Sequence, residues 1–195
     1  MAKSTLDRRT KYTKMVLQNS LFELLKQKSI DKITVTDICH LADINRGTFY
    51  YYYTDVFDLL NQIENELYEN FLVYFNQYLE SSERNTYLLM IKLFEYLKQE
   101  KKIFKVFFSQ NGDKDFIKRV YLTAYTSVIE EWKSQKTNLD PQQLDKIFLF
   151  VANGSISLIQ NWFDTGLKES PEELASFINN LSEFGYHHFL KKEKN

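Results

Sequence analysis

Two prolines, five glycines and one cysteine are all that this 195-residue chain holds of the residues that most often break, bend or staple a backbone. A sandwich or barrel needs many tight turns. So few breakers disfavour such folds and favour long helices. A single thiol excludes an internal disulfide framework and fits a reducing compartment. Long apolar runs are also missing: stretches such as Ile147 to Ala152 fall far short of the roughly 18 residues that span a bilayer. The opening Met-Ala-Lys-Ser-Thr-Leu-Asp-Arg-Arg has no apolar core of a signal peptide. Strong charge of one sign is absent as well, since the formal net charge is -1. What is present, 44% hydrophobic and 26% charged residues, is the balance of a globular chain with a real core. The expectation is a cytoplasmic, all-α protein that makes no use of a membrane.

The near-zero sum hides where the charges sit. Residues 1–53 carry nine Lys/Arg against five Asp/Glu, and residues 54–195 carry 16 against 21. A basic head on an acidic body suggests an anionic partner for the head. Random surface variation would give the same tally, so charge alone does not decide the matter.

Apolar spacing predicts helices along the whole chain. The first is expected over about residues 9–28, with Leu17, Leu21, Leu24 and Leu25 on one face. Arg8, Arg9, Lys11 and Lys14 crowd its start, where the helix dipole prefers anions. A cluster that local electrostatics disfavours hints at an external anion, although a solvated terminus also fits. Thr34 reads as an N-cap with Asp37 three residues on, and Val35, Ile38, Leu41 and Ala42 line the short helix that follows. Asn45 caps a second short helix, Arg46 to Tyr53, whose buried face carries Phe49 and Tyr53. Thr54-Asp55 then caps a long run, about 55–80, with Phe57, Leu60, Ile63, Leu67, Phe71 and Phe75 at helical spacing. Further helices are expected near 85–100, 102–110, 114–136, 141–166 and 171–191, with a turn at Asn111-Gly112-Asp113. Asp140-Pro141-Gln142-Gln143 and Ser170-Pro171-Glu172-Glu173 each supply a cap, a proline at N1 and a Gln or Glu at N3. Gly166 reads as a C-terminal stop. The domain reading is a head over residues 1–54 and a helical body over 55–195.

Residues 34–53 follow the logic of a helix-turn-helix. Two short helices that cross need small residues where they meet, and Cys39 and Ala42 supply them. The turn needs a residue that tolerates the left-handed region, and Asp43 is among the few non-glycines that do. Ile44 fills the gap between the helices, and Phe49 and Tyr53 hold the second one down. Its remaining face is then free to enter a major groove. That face carries Arg46, which can donate twice to guanine, Gly47, which permits close approach, and Thr48, Tyr50, Tyr51 and Tyr52, whose hydroxyls suit phosphate or base edges. Consecutive tyrosines step about 100° each on a helix, so they cannot all share the buried side.

With Thr34, Ile38 and Ala42, then Ile44-Asn45, Gly47-Thr48-Phe49-Tyr50 and Tyr52-Tyr53, then Leu59 and Leu60, the sequence resembles the TetR family of bacterial transcription regulators. The specific likeness covers about the first 60 residues, and a nine-helix plan suits the full length. The family pattern has Ala at Cys39, Gly at Asp43 and Phe at Tyr53, which are soft replacements. Val56 is a sharper departure, since many members place a phosphate-contacting lysine there, and Phe57 replaces a common acidic residue. By position the resemblance implies that Arg46, Gly47 and Tyr50 face bases, and that Thr34, Thr48, Tyr51 and Tyr52 face phosphates together with Arg8 and Arg9 at the basic start of the first helix. Asn111-Gly112-Asp113, Phe116, Gly154, Trp162, Gly166 and Ser170-Pro171-Glu172-Glu173-Leu174 resemble the C-terminal region of a subgroup that includes regulators of dihydroxyacetone kinase operons.

The resemblance further implies a homodimer on a palindromic double-stranded DNA operator, released by a small-molecule inducer. An activator or adaptor governed by a protein partner is the alternative. The aromatic body, with Phe104, Phe107, Phe108, Phe116, Tyr121, Tyr125, Trp132, Phe148 and Phe150, would enclose the inducer, with Phe104, Phe108, Tyr121 and Tyr125 as the expected pocket residues. Core packing would explain the same aromatics. Apolar stripes on the last two helices place Phe148, Ala152, Ile156, Phe163, Phe177 and Leu181 at the expected dimer interface. No enzyme is expected: there is no phosphate loop, no G-x-S-x-G and no H-E-x-x-H. No cofactor or metal is expected either, because His187 and His188 are adjacent and diverge on a helix, and Cys39 lies on a packed side. Glu130-Glu131 and Glu172-Glu173 read as solvated faces and helix starts.

Overall fold

The computed structural model describes the backbone of residues 2–108, 114–134 and 140–190, and the side chains of residues 8–108, 115–126 and 140–182. The expected turn at Asn111-Gly112-Asp113 lies outside the described residues, as do the side chains of Glu130, Glu131, Trp132, Phe184, His187 and His188. Among the described residues the fold is all-helical: α1 (Ala2–Leu25), α2 (Val35–Ala42), α3 (Arg46–Tyr52), α4 (Val56–Glu80), α5 (Thr86–Gln99), α6 (Lys101–Phe107), α7 (Lys114–Ser134), α8 (Pro141–Asp164) and α9 (Pro171–Leu190). A short 3-10 turn, Ile30–Lys32, links α1 to α2. The helix starting at Ala2, and not near residue 9, has a simple cause. The chain has no glycine or proline before Gly47, so nothing interrupts the helix upstream of its apolar stripe.

The chain divides into two compact units, Met1–Glu69 with Lys102–Asp113, and Asn70–Lys101 with Lys114–Asn195. The division between these compact units falls within α4. Leu59, Leu60, Ile63 and Leu67, on the first half of α4, are all buried and belong to the first unit.

In the first unit α1 packs on α2 and α2 on α3. Leu17 and Leu21 of α1, Ile38 of α2, Phe49 of α3 and Leu59 of α4 have no accessible surface. The ends of α2 are closed on both sides. Thr34 Oγ1 accepts from the Asp37 N–H at 3.1 Å, and Asp37 Oδ2 accepts from the Thr34 N–H at 2.9 Å, a reciprocal capping box. Past the other end, Asp43 takes the left-handed conformation, φ 53 and ψ 45. The Ile44 N–H then donates to Cys39 O at 3.0 Å, which closes the helix in the Schellman manner.

In the second unit α5 packs on α9, α7 on α8 and α8 on α9. Trp162 is buried, donates its Nε1–H to Glu169 O at 3.0 Å, and sits between Phe94 and Phe163 at ring distances of 6.2 and 5.7 Å. Its backbone oxygen accepts from the Leu167 N–H at 2.8 Å across Gly166, whose φ of 86 suits glycine. Asp140 with Gln143, and Ser170 with Glu173, form the two capping boxes behind Pro141 and Pro171.

Two stability effects follow from α2. A left-handed backbone costs an ordinary L-residue about 1–2 kcal/mol, so Asp43→Val should lower stability by that amount while Asp43→Gly leaves it unchanged or raises it. Urea unfolding with an unchanged slope would check this. The Asp37 carboxyl, which accepts from Lys28 Nζ at 2.8 Å and from the Thr34 N–H, is held down at a pKa of about 2 by those bonds. Its native pKa lies below the unfolded value of about 3.9, so its contribution is present above pH about 4 and is lost as pH falls toward about 2. Thermal unfolding between pH 5 and pH 2 should therefore fall more steeply in the wild type than in Asp37→Asn.

Candidate nucleic-acid interface

The geometry of α3 starts from its cap. Asn45 Oδ1 accepts from the Gly47 N–H at 2.7 Å, which fixes the first turn. A Cβ on Gly47 would lie 3.3 Å from that same oxygen, so glycine leaves the cap undisturbed. Within α3 only Phe49 is buried. Arg46, Gly47, Thr48, Tyr50 and Tyr51 are exposed, Tyr51 to 80%. Tyr53, just past the helix, is buried beside Phe49 with rings 5.6 Å apart, and burial pushes its hydroxyl up to about 12. The expected inward and outward sets are thus separated by the fold.

The outward side chains are not independent. Arg46 Nη2 lies 3.4 Å from the Tyr50 hydroxyl, and its guanidinium carbon lies 5.9 Å from the Tyr50 ring centre. Tyr50 packs edge-on against Phe49 at 5.7 Å. Tyr52 is half-buried and turns toward α1: its hydroxyl is 3.5 Å from Thr10 Oγ1, and Lys14 Nζ lies 5.9 Å from its ring centre. Of the residues expected at phosphates, Tyr52 is therefore engaged with α1, and Thr34 is engaged in the cap of α2. Thr10 carried no sequence signal for this role, because the contact joins residues 42 apart. Arg8 and Arg9 are exposed on α1, and Thr34 is exposed at the start of α2.

Val56 opens α4 with a buried side chain, so the position offers no group to solvent. Phe57, beside it, is exposed. The start of α4 is held instead by acids: Asp55 Oδ1 accepts from the Asp58 N–H at 2.8 Å, and Asp58 Oδ2 accepts from the Thr54 N–H at 2.8 Å. The Thr54 N–H first, and then the Gln62 amide that donates to Asp58 Oδ1 at 3.2 Å, hold the Asp58 carboxyl below the usual carboxylate range. Cys39 is buried and its thiol is pushed up by desolvation, the state of a packed side chain and not of a nucleophile.

The body residues are placed less as expected. Phe104 and Phe108 belong to the first unit, where their rings stack at 6.3 Å, whereas Tyr121 and Tyr125 belong to the second. Tyr121 and Tyr125 lie 5.2 and 5.1 Å from Phe148, edge to face, with Leu144, Ala124 and Ala152 around them. The Tyr125 hydroxyl donates to Asp145 Oδ1 at 2.7 Å. Phe148 and Phe163, expected at an interface, are instead buried within the subunit, the first under α7 and the second against Trp162. Ala152 packs on the same cluster as Phe148, and Ile156 is half-buried. The remaining two, Phe177 and Leu181, are exposed to 55% and 56%. Leu149 and Phe150 on α8 are exposed as well, Phe150 to 82%, which removes Phe150 from the enclosed aromatics. Among the described residues no cluster of His, Cys, Asp and Glu could hold a metal, and no helix is long and apolar enough to cross a membrane.

Comparison with known proteins gives this architecture a context. Residues 84–184 match a TetR family model described as a transcriptional regulator C-terminal region. Among solved structures, the chain is similar to the dihydroxyacetone kinase operon activator DhaS, at 21% identity over 92% of this chain and 98% of that one, with a TM-score of 0.57. It is similar to a TetR transcriptional regulator from Streptococcus agalactiae 2603V, at 21% identity over 92% and 98%, with a TM-score of 0.62. It is also similar to the fatty acid degradation regulator FadR from Bacillus halodurans, at 16% identity over 94% and 97%, with a TM-score of 0.64. No curated protein matches it in sequence. At these identities the structural likeness is one of fold, and the sequence match over 84–184 carries the assignment: the chain belongs to the TetR-type transcriptional regulators.

Proposed function

We propose that the protein is a sequence-specific DNA-binding regulator that acts as a homodimer on a palindromic operator and represses until a small molecule releases it. The observation that carries this reading is the face of α3, where Arg46, Gly47, Thr48, Tyr50 and Tyr51 are exposed while Phe49 beneath them is fully buried. A helix that buries one residue and offers a guanidinium and several hydroxyls is suited to a groove lined by acceptors. Arg46, Gly47 and Tyr50 face bases. Arg8, Arg9, Thr34, Thr48, Tyr51 and Tyr52 face phosphates. Thr34 can serve both its cap and a phosphate, since its oxygen accepts from Asp37 and its O–H remains a donor.

Dimerisation is supported by apolar side chains left outside on α8 and α9, Leu149, Phe150, Phe177 and Leu181. Helix-turn-helix heads read two half-sites, which asks for a two-fold partner. The inducer reading rests on the aromatic cluster of Tyr121, Tyr125 and Phe148, apolar with two hydroxyls. The sign of control has a second reading, because one structural neighbour carries the name of an operon activator. A reporter placed under a bound promoter separates the two: on deletion of the gene its output rises if the protein represses and falls if it activates.

Binding should be measured on a duplex selected from a randomised pool and on its scrambled counterpart, across a salt series. Arg46→Ala should cost about 1–3 kcal/mol on the selected duplex and relax preference at one position per half-site. Arg9→Ala should weaken both duplexes alike and make the salt slope shallower by about one ion per half-site. An unchanged selected-to-scrambled ratio in Arg46→Ala, with a collapsed ratio in Arg9→Ala, would reverse the assigned roles. Phe177→Glu should give monomers or insoluble protein, because it places an unpaired charge in an interface of about 1,500–3,000 Å2. Sedimentation of the wild type as a monomer at micromolar concentration would remove the dimer.

A further inference from the structure

Arg46 is the cation of α3, and a free arginine is a poor reader. Its long side chain has many rotamers, and any base contact must overcome the entropy of fixing one of them. In this head the guanidinium is not left to wander. Tyr50, one turn on, stands on the same face, with its hydroxyl 3.4 Å from Arg46 Nη2 and its ring 5.9 Å from the guanidinium carbon. Tyr50 is itself braced, edge-on at 5.7 Å and with an interplanar angle of 88°, by the ring of Phe49, which has no accessible surface. A line of contacts thus runs from the core of the head through an exposed ring to the one guanidinium on the reading face.

We propose that Tyr50 is a positioning residue whose hydroxyl and ring orient the Arg46 guanidinium for a guanine edge, so that the Tyr50 hydroxyl sets specificity through Arg46 while the ring stays on the base-facing side. The inference rests on the reading of α3 as the base-reading helix. Guanine recognition uses two parallel N–H donors of one planar fork. Arg46 has five N–H donors, so one given to the Tyr50 hydroxyl leaves enough for both acceptors of the base while removing rotation of the fork. The ring, with its centre 5.9 Å from the guanidinium carbon, adds a cation–π attraction that holds the fork on the same side. Tyr50→Phe keeps that ring and its packing on Phe49 and removes only the hydroxyl, which makes it the informative substitution.

Two measurements test the proposal. In the free protein, 15N relaxation at Arg46 Nε should show a restricted side chain that becomes more mobile in Tyr50→Phe. On DNA, using the duplex selected from a random pool and its scrambled counterpart, Tyr50→Phe should lower the selected-to-scrambled ratio by about three- to tenfold without changing the salt slope, since no charge is removed. The same substitution in an Arg46→Ala background should produce no further loss, because the group it positions is gone. An equal loss in both backgrounds would show that the Tyr50 hydroxyl touches DNA itself and would overturn the inference. Unchanged Arg46 mobility in Tyr50→Phe would overturn it as well, while wild-type discrimination persisted. A wild type that fails to discriminate the duplexes is a failure of the base-reading role of α3, and the positioning role falls with it.

Discussion

Phe49 is the buried residue of a seven-residue helix, and its ring decides which way the other five side chains face. Burying a phenylalanine contributes about 1.5–3 kcal/mol, and truncating one in a core typically costs about 3–5 kcal/mol. A helix this short has little stability of its own, because nucleation alone consumes most of what its few hydrogen bonds return. The helix therefore exists where the ring is held. Rotation by one residue would bring Tyr50 or Thr48 inward and leave a hydroxyl to be satisfied in an apolar core, so the register is defended by polar desolvation as well as by packing. The orientation of Arg46 is a consequence of that single inward contact.

The turn inside this helix-turn-helix and the one after α8 work by the same economy of special residues. Asp43 after α2 and Gly166 after α8 both open a Schellman closure, one with an aspartate at φ 53 and the other with a glycine at φ 86. With five glycines in the chain, most helix ends must be closed by side chains, and Thr34, Asn45, Asp140 and Ser170 do so. Each cap satisfies backbone donors that would otherwise face solvent, and each fixes the angle at which the next helix leaves.

This distribution explains what could be read from the sequence. Caps and their partners are three residues apart, so Thr34 with Asp37 and Asp140 with Gln143 were legible as strings of letters. Asp43 was legible because few residues tolerate its conformation. The inward roles of Phe49 and Tyr53 followed from helical spacing. Spacing says which residues share a face, but it does not say what covers that face. Phe148 and Phe177 read alike as members of apolar stripes, yet α7 covers Phe148 and leaves Phe177 outside. The same limit applies to Tyr52, which turns to Thr10 across a separation no local pattern reports. The 3-10 turn at Ile30–Lys32 has no strong signal either, since it contains neither glycine nor proline.

Placement of charge then decides which helix must carry the ionic part of DNA binding on the proposed reading. The start of α4, where related regulators often hold a lysine, has a buried Val56, and α3 has a single cation. Neutralisation of phosphates therefore falls on Arg8, Arg9, Lys11 and Lys14 of α1. Lys14 lies 5.9 and 5.8 Å from the ring centres of Tyr52 and Tyr53, and Thr10 lies beside the Tyr52 hydroxyl, so α1 and the end of α3 share a seam. A cation over a half-buried or buried ring is worth about 0.5–2 kcal/mol, a modest hold for a junction between two helices. On the proposed reading, salt dependence originates on one side of the seam and base preference on the other. A change at Tyr52 would shift the basic helix relative to the reading helix, and affinity and specificity would move together, where a change at Arg9 or Arg46 would move them separately.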